Sequence, residues 1–213
     1  LARDLSGYAR AYRAGEEPVG RMGLQLSAAT LGIVGYGRIG RRLAEVALAL
    51  GMRVLVSDPH ATAEDPRITQ CAFEDVLAAA DIVVCLAISS PGTRDLFDAA
   101  AFARMRRGAR FINLSRGELV DERALEAALD SGQLSGAAMD VGRAADQRPS
   151  AFLARRADVL AAPHIAGMTP EAMEHQAMDT VRQVAALARG ELPDNAVNAA
   201  AAHRLARIGV RVA

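Results

Sequence analysis

The chain has 213 residues with 25 basic and 25 acidic side chains, and every basic one is an arginine because the sequence contains no lysine. The missing amine excludes Schiff-base and pyridoxal phosphate enzymes, Walker A NTPases and protein kinases, which all need a lysine. A formal net charge of zero argues against nucleic acid or an anionic membrane as the main partner. No apolar stretch reaches about 18 residues without a charge, so we predict no transmembrane helix and expect a cytoplasmic location.

The chain opens in a predicted helix, Leu1–Arg13, and continues as short apolar runs that alternate with amphipathic stretches. The apolar runs predict strands at Thr30–Val34, Arg53–Ser57, Ile82–Ile88, Arg110–Leu114, Gly136–Val141 and Val159–Ala162. The amphipathic stretches predict helices at Arg38–Leu50, Phe73–Ala80, Asp98–Met105, Asp121–Asp130 and Thr169–Arg189. Continuous apolar strands separated by helices indicate a doubly wound, parallel α/β sheet (Rossmann fold) with helices on both faces. The segment Gly142–Asp158 has no clean periodicity and is predicted to be a long loop.

The two cysteines, Cys71 and Cys85, are too few for a disulfide framework in a chain of this length. Cys85 lies inside an apolar run, which indicates a small residue of the core. No CxxC pair and no cluster of histidine and cysteine has the spacing of metal ligands, so we predict no metal site.

A glycine-rich motif joins the first predicted strand after the opening helix to the helix that follows it. Gly35, Gly37 and Gly40 fit the pattern GxGxxG in that strand-to-helix context, which predicts a dinucleotide site. Gly35 permits a tight turn, Gly37 lets the backbone approach a pyrophosphate, and Gly40 lets the helix pack close to the strand. The backbone amides of Arg38 and Ile39 then point at the phosphates with the positive end of the helix dipole.

The next predicted strand leads into Asp58, about 20 residues after the glycine motif, where dinucleotide sites carry an acid. A carboxylate there accepts hydrogen bonds from both ribose hydroxyls and repels a 2′-phosphate. Pro59 and His60 supply no clamp for such a phosphate, and His60 is interpreted as a turn residue. The sequence therefore predicts NAD rather than NADP as the cofactor.

Four blocks of the sequence resemble the D-isomer-specific 2-hydroxyacid dehydrogenases in both order and spacing. The blocks are Thr30–Gly40, Pro91–Leu96, Phe111–Glu122 with its continuation to Val141, and Ala162–Thr169. The resemblance implies hydride transfer between NAD and C2 of a small 2-hydroxy or 2-oxo acid. It also implies a homodimer built through the cofactor domains.

The resemblance places the family's substrate-binding guanidinium on Arg116 and its acid/base imidazole on His164. An arginine fork binds a carboxylate in two places and polarises the adjacent carbonyl, and an imidazole can exchange the hydroxyl proton as hydride moves. Asp140 corresponds to the residue that holds the nicotinamide amide. The positions that line the cofactor in the family, partly through the backbone, are Ala87, Leu114 and Ser115.

The sequence departs from the family at the partner of the catalytic histidine. The family usually has a glutamate five residues after the aspartate that corresponds to Asp140, but here that position is Ala145, followed by Asp146. Asp146 has a shorter side chain that starts from the wrong position. The departure leaves open an alternative function, that of an NAD(H)-binding sensor or corepressor-like protein with weak or no turnover. A second departure is Ile88, where the family commonly has proline.

In this family a substrate domain precedes the cofactor domain, and the active site lies between the two. The resemblance implies that residues 1–20 are a connecting helix from a substrate domain largely absent from this sequence. Residues 21–190 are then the NAD-binding domain, and residues 191–213 a tail that returns to the substrate domain. We therefore expect the chain alone to bind NAD without turning over an acid. Phosphoglycerate, glyoxylate, hydroxypyruvate and D-lactate all remain possible substrates.

Overall fold

A computed structural model of the chain describes residues 1–194, 196, 199–202, 204, 205 and 209. They fall into two compact units, Leu1–His164 and Ile165–Ala213. The strands, all in the first unit, are β1 (Thr30–Val34), β2 (Arg53–Ser57), β3 (Ile68–Gln70), β4 (Ile82–Cys85), β5 (Ala109–Asn113), β6 (Leu134–Met139) and β7 (Val159–Ala161). They form one sheet in the order β3-β2-β1-β4-β5-β6-β7, and every neighbouring pair is parallel.

The helices of the first unit are α1 (Leu5–Arg13), α2 (Arg38–Ala49), α3 (Phe73–Ala79), α4 (Ala99–Arg104), α5 (Glu122–Asp130) and α6 (Ala151–Ala154). The second unit contains α7 (Pro170–Ala188). Thr169 caps α7 by accepting a hydrogen bond from the amide of Ala172, and Gly190 follows the helix in the left-handed region with φ of +74°. These are the start and stop signals that the sequence carries. About half of the predicted tail, 191–213, lies outside the described residues, and its return to a substrate domain stays a prediction.

Helices cover both faces of the sheet because the strands are apolar on both sides. Ile33 and Val54 pack on one face with Ala44 of α2. On the other face, Val83 packs with residues of α3, α4 and α5, such as Leu125. The predicted doubly wound parallel sheet is therefore confirmed.

Three local predictions were wrong. Strand β3 was missed because Ile68–Gln70 has a single buried residue and forms the sheet edge, so it carries no apolar run. The segment predicted as a loop, Gly142–Asp158, contains the short helix α6, which buries only Leu153. The opening helix begins at Leu5 rather than Leu1, because the side chain of Asp4 accepts a hydrogen bond from the amide of Gly7 and caps it.

An aromatic cluster fixes one loop at the carboxyl edge of the sheet. Phe97 is fully buried, with its ring centroid 4.8 Å from that of Phe111 on β5 and 5.5 Å from that of Phe73 on α3. The amide of Phe97 donates to the carbonyl of Leu119 at 2.9 Å, and its own carbonyl accepts from the amide of Asp121 at 3.0 Å. The core thus holds the loop after β4 beside the loop after β5.

Candidate active site

All the site residues predicted from the sequence lie at the carboxyl edge of the parallel sheet. The loops and the residues that they carry are Gly35 to Gly40 after β1, Asp58 after β2, Ala87 after β4, Leu114 to Arg116 after β5, Asp140 after β6 and His164 after β7. The strand order reverses direction between β1 and β4. Ligands of open α/β sheets bind at the carboxyl edge beside such a switch point.

The glycine motif forms a turn that packs against the loop after β4. Gly35 has φ of +101°, and a Cβ added there would lie 2.4 Å from the carbonyl carbon of Leu86. A Cβ added to Gly40 would lie 2.3 Å from the carbonyl oxygen of Gly35, so α2 packs directly on the turn. A Cβ added to Gly37 meets nothing within 4 Å. The packing of the protein therefore leaves no room for a side chain at Gly35 or Gly40. Gly37 faces open space in which a phosphate fits.

The first turn of α2 faces that open space. Gly37 is the N-cap and offers no side chain to bond the helix amides. Arg38 and Ile39 are exposed, and the first amides of a helix lack intrahelical acceptors. The free amides and the positive end of the helix dipole suit an anion, so the turn fits a pyrophosphate.

Asp58 is tied to the glycine turn by its carboxylate. Oδ2 accepts from the amide of Tyr36 at 2.7 Å, and Oδ1 accepts from the amides of His60 at 2.7 Å and Ala61 at 3.0 Å. Burial raises the pKa of Asp58, but the three amide donors together outweigh it and hold the pKa below its usual value. The carboxylate is therefore ionised at neutral pH, and His60 acts in a turn through its backbone.

Asn113 shapes the loop that carries Arg116. Its side chain is fully buried at the end of β5. It donates to the carbonyl of Arg116 at 3.0 Å and accepts from the amide of Ser115 at 3.0 Å. Ser115 in turn donates through Oγ to the carbonyl of Ala87. The guanidinium of Arg116 is exposed, and its Nη1 donates to the carbonyl of Ser115 at 2.7 Å.

His164 is half-buried and has a left-handed backbone with φ of 59°. Its Nδ1 lies 3.4 Å from the carbonyl oxygen of Asp146. Asp146 and Gln147 are also left-handed, with φ of 57° and 56°. Since Ala145 has no polar atom to offer from its side chain, the contact to the imidazole comes from a neutral backbone carbonyl and not from a carboxylate.

Backbone contacts bring the loops after β5 and β6 together. A Cβ added to Gly117 would lie 2.1 Å from the carbonyl oxygen of Gly142. Asp140 is 6% exposed, and its amide donates to the carbonyl of Asn113 at 3.2 Å. The loop of Arg116 thus touches the loop whose carbonyl contacts His164.

Sequence reasoning missed several residues that shape these loops. Asn113 could have been found, because it is a polar residue within an apolar strand. Glu122 is 5% exposed, and it accepts from the amide of Arg143 at 3.0 Å and from Ser150 Oγ. Nothing in the sequence distinguishes Glu122 from an exposed acid in the first turn of a helix.

A cavity of about 550 Å³ lies at the opposite edge of the sheet, lined by residues that include Arg3, Tyr8, Arg110 and Gly136. It holds none of the predicted site residues. The glycine turn after β1 and the buried Asp140 after β6 lie at the carboxyl edge of the sheet. We therefore assign the site to that edge and not to the cavity.

Within the described part of the chain, no group of three or more histidine, cysteine, aspartate or glutamate side chains is placed to hold a metal ion. Burial raises the pKa of Cys85 to about 12, as expected for a thiol of the core. None of the helices described is both long enough and apolar enough to cross a membrane.

Comparison with known protein families gives one match over most of the chain. A sequence model of the D-isomer specific 2-hydroxyacid dehydrogenase NAD binding domain matches residues 1–166. The (S)-sulfolactate dehydrogenase of Chromohalobacter salexigens is 40% identical over 167 residues, which cover 76% of this chain and 54% of that protein. The chain spans about a third to a half of the length of the curated relatives that it matches.

Among solved structures with the same fold, one contains NAD⁺ and another contains NADPH. A D-lactate dehydrogenase from Lactobacillus jensenii, solved with NAD⁺, is 28% identical with a TM-score of 0.80, covering 91% of this chain and 63% of that one. A D-isomer specific 2-hydroxyacid dehydrogenase from Xanthobacter autotrophicus Py2, solved with NADPH and MES, is 30% identical with a TM-score of 0.75, covering 91% of this chain and 80% of that one.

Proposed function

Because the chain belongs to the D-isomer-specific 2-hydroxyacid dehydrogenase family, we propose that it carries the cofactor site and the two reacting side chains of an NAD-dependent oxidoreductase. The reaction moves a hydride between NAD and C2 of a 2-hydroxy or 2-oxo acid. The observation that supports this most is the placement of Arg116 and His164. They lie at one edge of the sheet, in loops linked through Gly117 and Gly142 and through the carbonyl of Asp146.

The glycine turn and the start of α2 would hold the pyrophosphate through the amides of Arg38 and Ile39. Asp58 would accept from the ribose through Oδ2, because that oxygen bonds the amide of Tyr36 alone and keeps a lone pair, whereas Oδ1 already accepts from two amides. Its negative charge would repel a 2′-phosphate, which favours NAD over NADP. Asp140 would hold the nicotinamide amide, beside Ala87, Leu114 and Ser115. When bound, the nicotinamide supplies or accepts the hydride.

Arg116 is proposed to bind the substrate carboxylate. Its guanidinium is exposed and spends one N–H on the carbonyl of Ser115, so most of its five donors are available to a ligand. Asn113 holds the backbone on both sides of the loop. The side chain can therefore turn to the substrate while its Cα stays in place, which preserves the bidentate geometry that a carboxylate needs.

His164 is proposed to carry the proton. With Nδ1–H donating to the carbonyl of Asp146, the neutral ring presents Nε2 as an acceptor. Nε2 takes the hydroxyl proton when the acid is oxidised, and the protonated ring returns it to the carbonyl oxygen when the acid is reduced. A carbonyl partner can fix the tautomer as a glutamate does, but it adds no negative charge.

The test measures NADH oxidation by the full-length protein with four 2-oxo acids: 3-phosphohydroxypyruvate (the oxidised form of phosphoglycerate), glyoxylate, hydroxypyruvate and pyruvate. The same assay is run on the variant His164→Asn. We expect turnover with at least one acid, a loss of about 10²-fold or more in kcat for His164→Asn, and no change in its affinity for NADH. His175→Asn, on the exposed surface of α7, is the matched control and should behave as wild type. Equal kcat in the two histidine variants would contradict the role of His164.

Ala145 supports a second candidate, an NAD(H)-binding sensor with weak or no turnover, because the usual acidic partner of the histidine is replaced by a neutral carbonyl. Tight NADH binding without turnover of any acid would favour it.

For either candidate we also propose a cytoplasmic homodimer. The dimer would form through the cofactor domains, and sedimentation of the full-length protein would test it.

A further inference from the structure

Arg143 lies in the loop after β6 and reaches across to the loop of Arg116. Its Nε donates to the carbonyl of Gly117 at 3.3 Å, and its Nη2 donates to the carbonyl of Glu118 at 3.1 Å. The same Nη2 forms an ion pair with the carboxylate of Asp95. The two carbonyls that it binds belong to the residues directly after Arg116.

Asp95 belongs to a third loop, the one after β4. Its backbone is left-handed with φ of 52°, and its amide donates to the carbonyl of Glu118 at 2.9 Å. The carbonyl of Glu118 therefore accepts from both Asp95 and Arg143. Three loops at the carboxyl edge of the sheet meet at this one guanidinium.

The backbone of Arg143 is itself held in place. Its amide donates at 3.0 Å to Oε1 of the buried Glu122, whose Oε2 accepts from Ser150 Oγ. Ser150 and Arg143 lie on either side of Asp146, the residue whose carbonyl contacts His164. Glu122 thus holds both ends of the segment that positions that carbonyl.

We propose that Arg143 is a positioning residue that sets the loop of Arg116 relative to the loop that contacts His164. The inference rests on the proposed function. A planar guanidinium with several fixed N–H directions can serve two carbonyls and a carboxylate at once, which an ammonium on a flexible stem cannot do with the same geometry. Arg143 needs no contact with the substrate for this role. It fixes the spacing between the group that anchors the acid and the group that moves its proton.

The test compares Arg143→Met with Arg148→Met in the full-length protein. Arg148 is an exposed arginine of the same loop, and the hydrogen bonds described for it use its backbone alone. For Arg143→Met we expect KM for the 2-oxo acid to rise about tenfold or more, because displacing a substrate anchor by about 1 Å costs up to about 10²-fold. The affinity for NADH should stay within about twofold of wild type. Arg143→Lys should recover little, and Arg148→Met should match wild type.

Amide hydrogen exchange gives a readout that does not need turnover. The amides of Leu119 and Val120 donate within the loop, to the carbonyls of Arg116 and Gly117, and should exchange faster in Arg143→Met but not in Arg148→Met. Unchanged exchange with unchanged KM would overturn the proposal, as would a parallel loss of NADH affinity and thermal stability. If the wild-type protein turns over no acid, the proposed function fails, and the exchange rates alone decide whether Arg143 holds the loop.

Discussion

Among substitutions in the glycine motif, Gly37→Ala best distinguishes an effect on cofactor binding from an effect on folding. The added Cβ meets no protein atom within 4 Å, and the backbone of Gly37, with φ of −75° and ψ of −160°, is extended and open to alanine. The folded protein should therefore tolerate the methyl group. The same methyl group projects into the space assigned to the pyrophosphate.

The expected effects on stability and on binding have opposite signs. Replacing a glycine by alanine where the backbone permits it stabilises by about 0.4–1 kcal/mol, through the lower entropy of the unfolded chain. For a protein of this size that raises Tm by roughly 1–4 °C. Overpacking a contact by one methyl group costs about 1–3 kcal/mol, so the Kd for NADH should rise roughly 5- to 150-fold.

The assay is equilibrium binding of NADH by fluorescence, alongside thermal unfolding without cofactor. Gly20→Ala is the matched control, because its Cβ also meets nothing within 4 Å and it lies outside the motif. Gly40→Ala should lose both stability and binding, since its Cβ would lie 2.3 Å from the carbonyl oxygen of Gly35. If Gly37→Ala binds NADH as tightly as Gly20→Ala, the pyrophosphate does not lie over this turn and the assignment of the cofactor site is wrong.

Two further substitutions test the rest of the edge. Gly117→Ala places a Cβ 2.1 Å from the carbonyl oxygen of Gly142, so the loops after β5 and β6 must move apart by roughly 1.3 Å to reach ordinary van der Waals contact. We expect kcat/KM to fall about 10²-fold. A wild-type kcat/KM would mean that the spacing of these two loops does not matter for activity. Asp58→Asn should shift the preference from NADH towards NADPH by about tenfold, which parallel binding titrations measure. Because the folded pKa of Asp58 is lowered, its stabilisation is complete above the unfolded pKa of about 3.9 and is lost as pH falls through the folded pKa. Thermal unfolding of Asp58→Asn should therefore depend less on pH over that acidic range, and identical profiles would exclude the amide contacts as a source of stability.

The sequence sufficed for those parts of the protein that depend on runs and periods. Apolar strands such as Thr30–Val34 and helices such as Arg38–Ala49 appear where the patterns predict them, within a few residues. Since the carboxyl ends of parallel strands share one edge, Asp58, Arg116 and His164 had to lie along it. Specific glycines such as Gly35 occupy the positive-φ conformation that the motif requires.

What the sequence did not reveal depends on backbone groups, which no residue type encodes. The acceptor for His164 is the carbonyl of Asp146, which is oriented by the left-handed backbone of Asp146 and Gln147. The residue types at these two positions do not predict that conformation. Arg143 is one arginine among many, and its contacts to the carbonyls of Gly117 and Glu118 follow from the approach of two loops distant in sequence. Such contacts emerge only once the sheet has set the loops side by side.

In the proposed reaction, hydride passes between the cofactor and C2 of a 2-oxo acid held between Arg116 and His164. The most direct measurement uses the full-length protein, NADH deuterated at the transferred position of C4, and each candidate acid, with the product analysed by NMR. We predict a 2-hydroxy acid with a single deuterium at C2 and none incorporated from solvent. Tight NADH binding with no deuterated product from any acid would contradict this proposal and leave the chain as a binding protein.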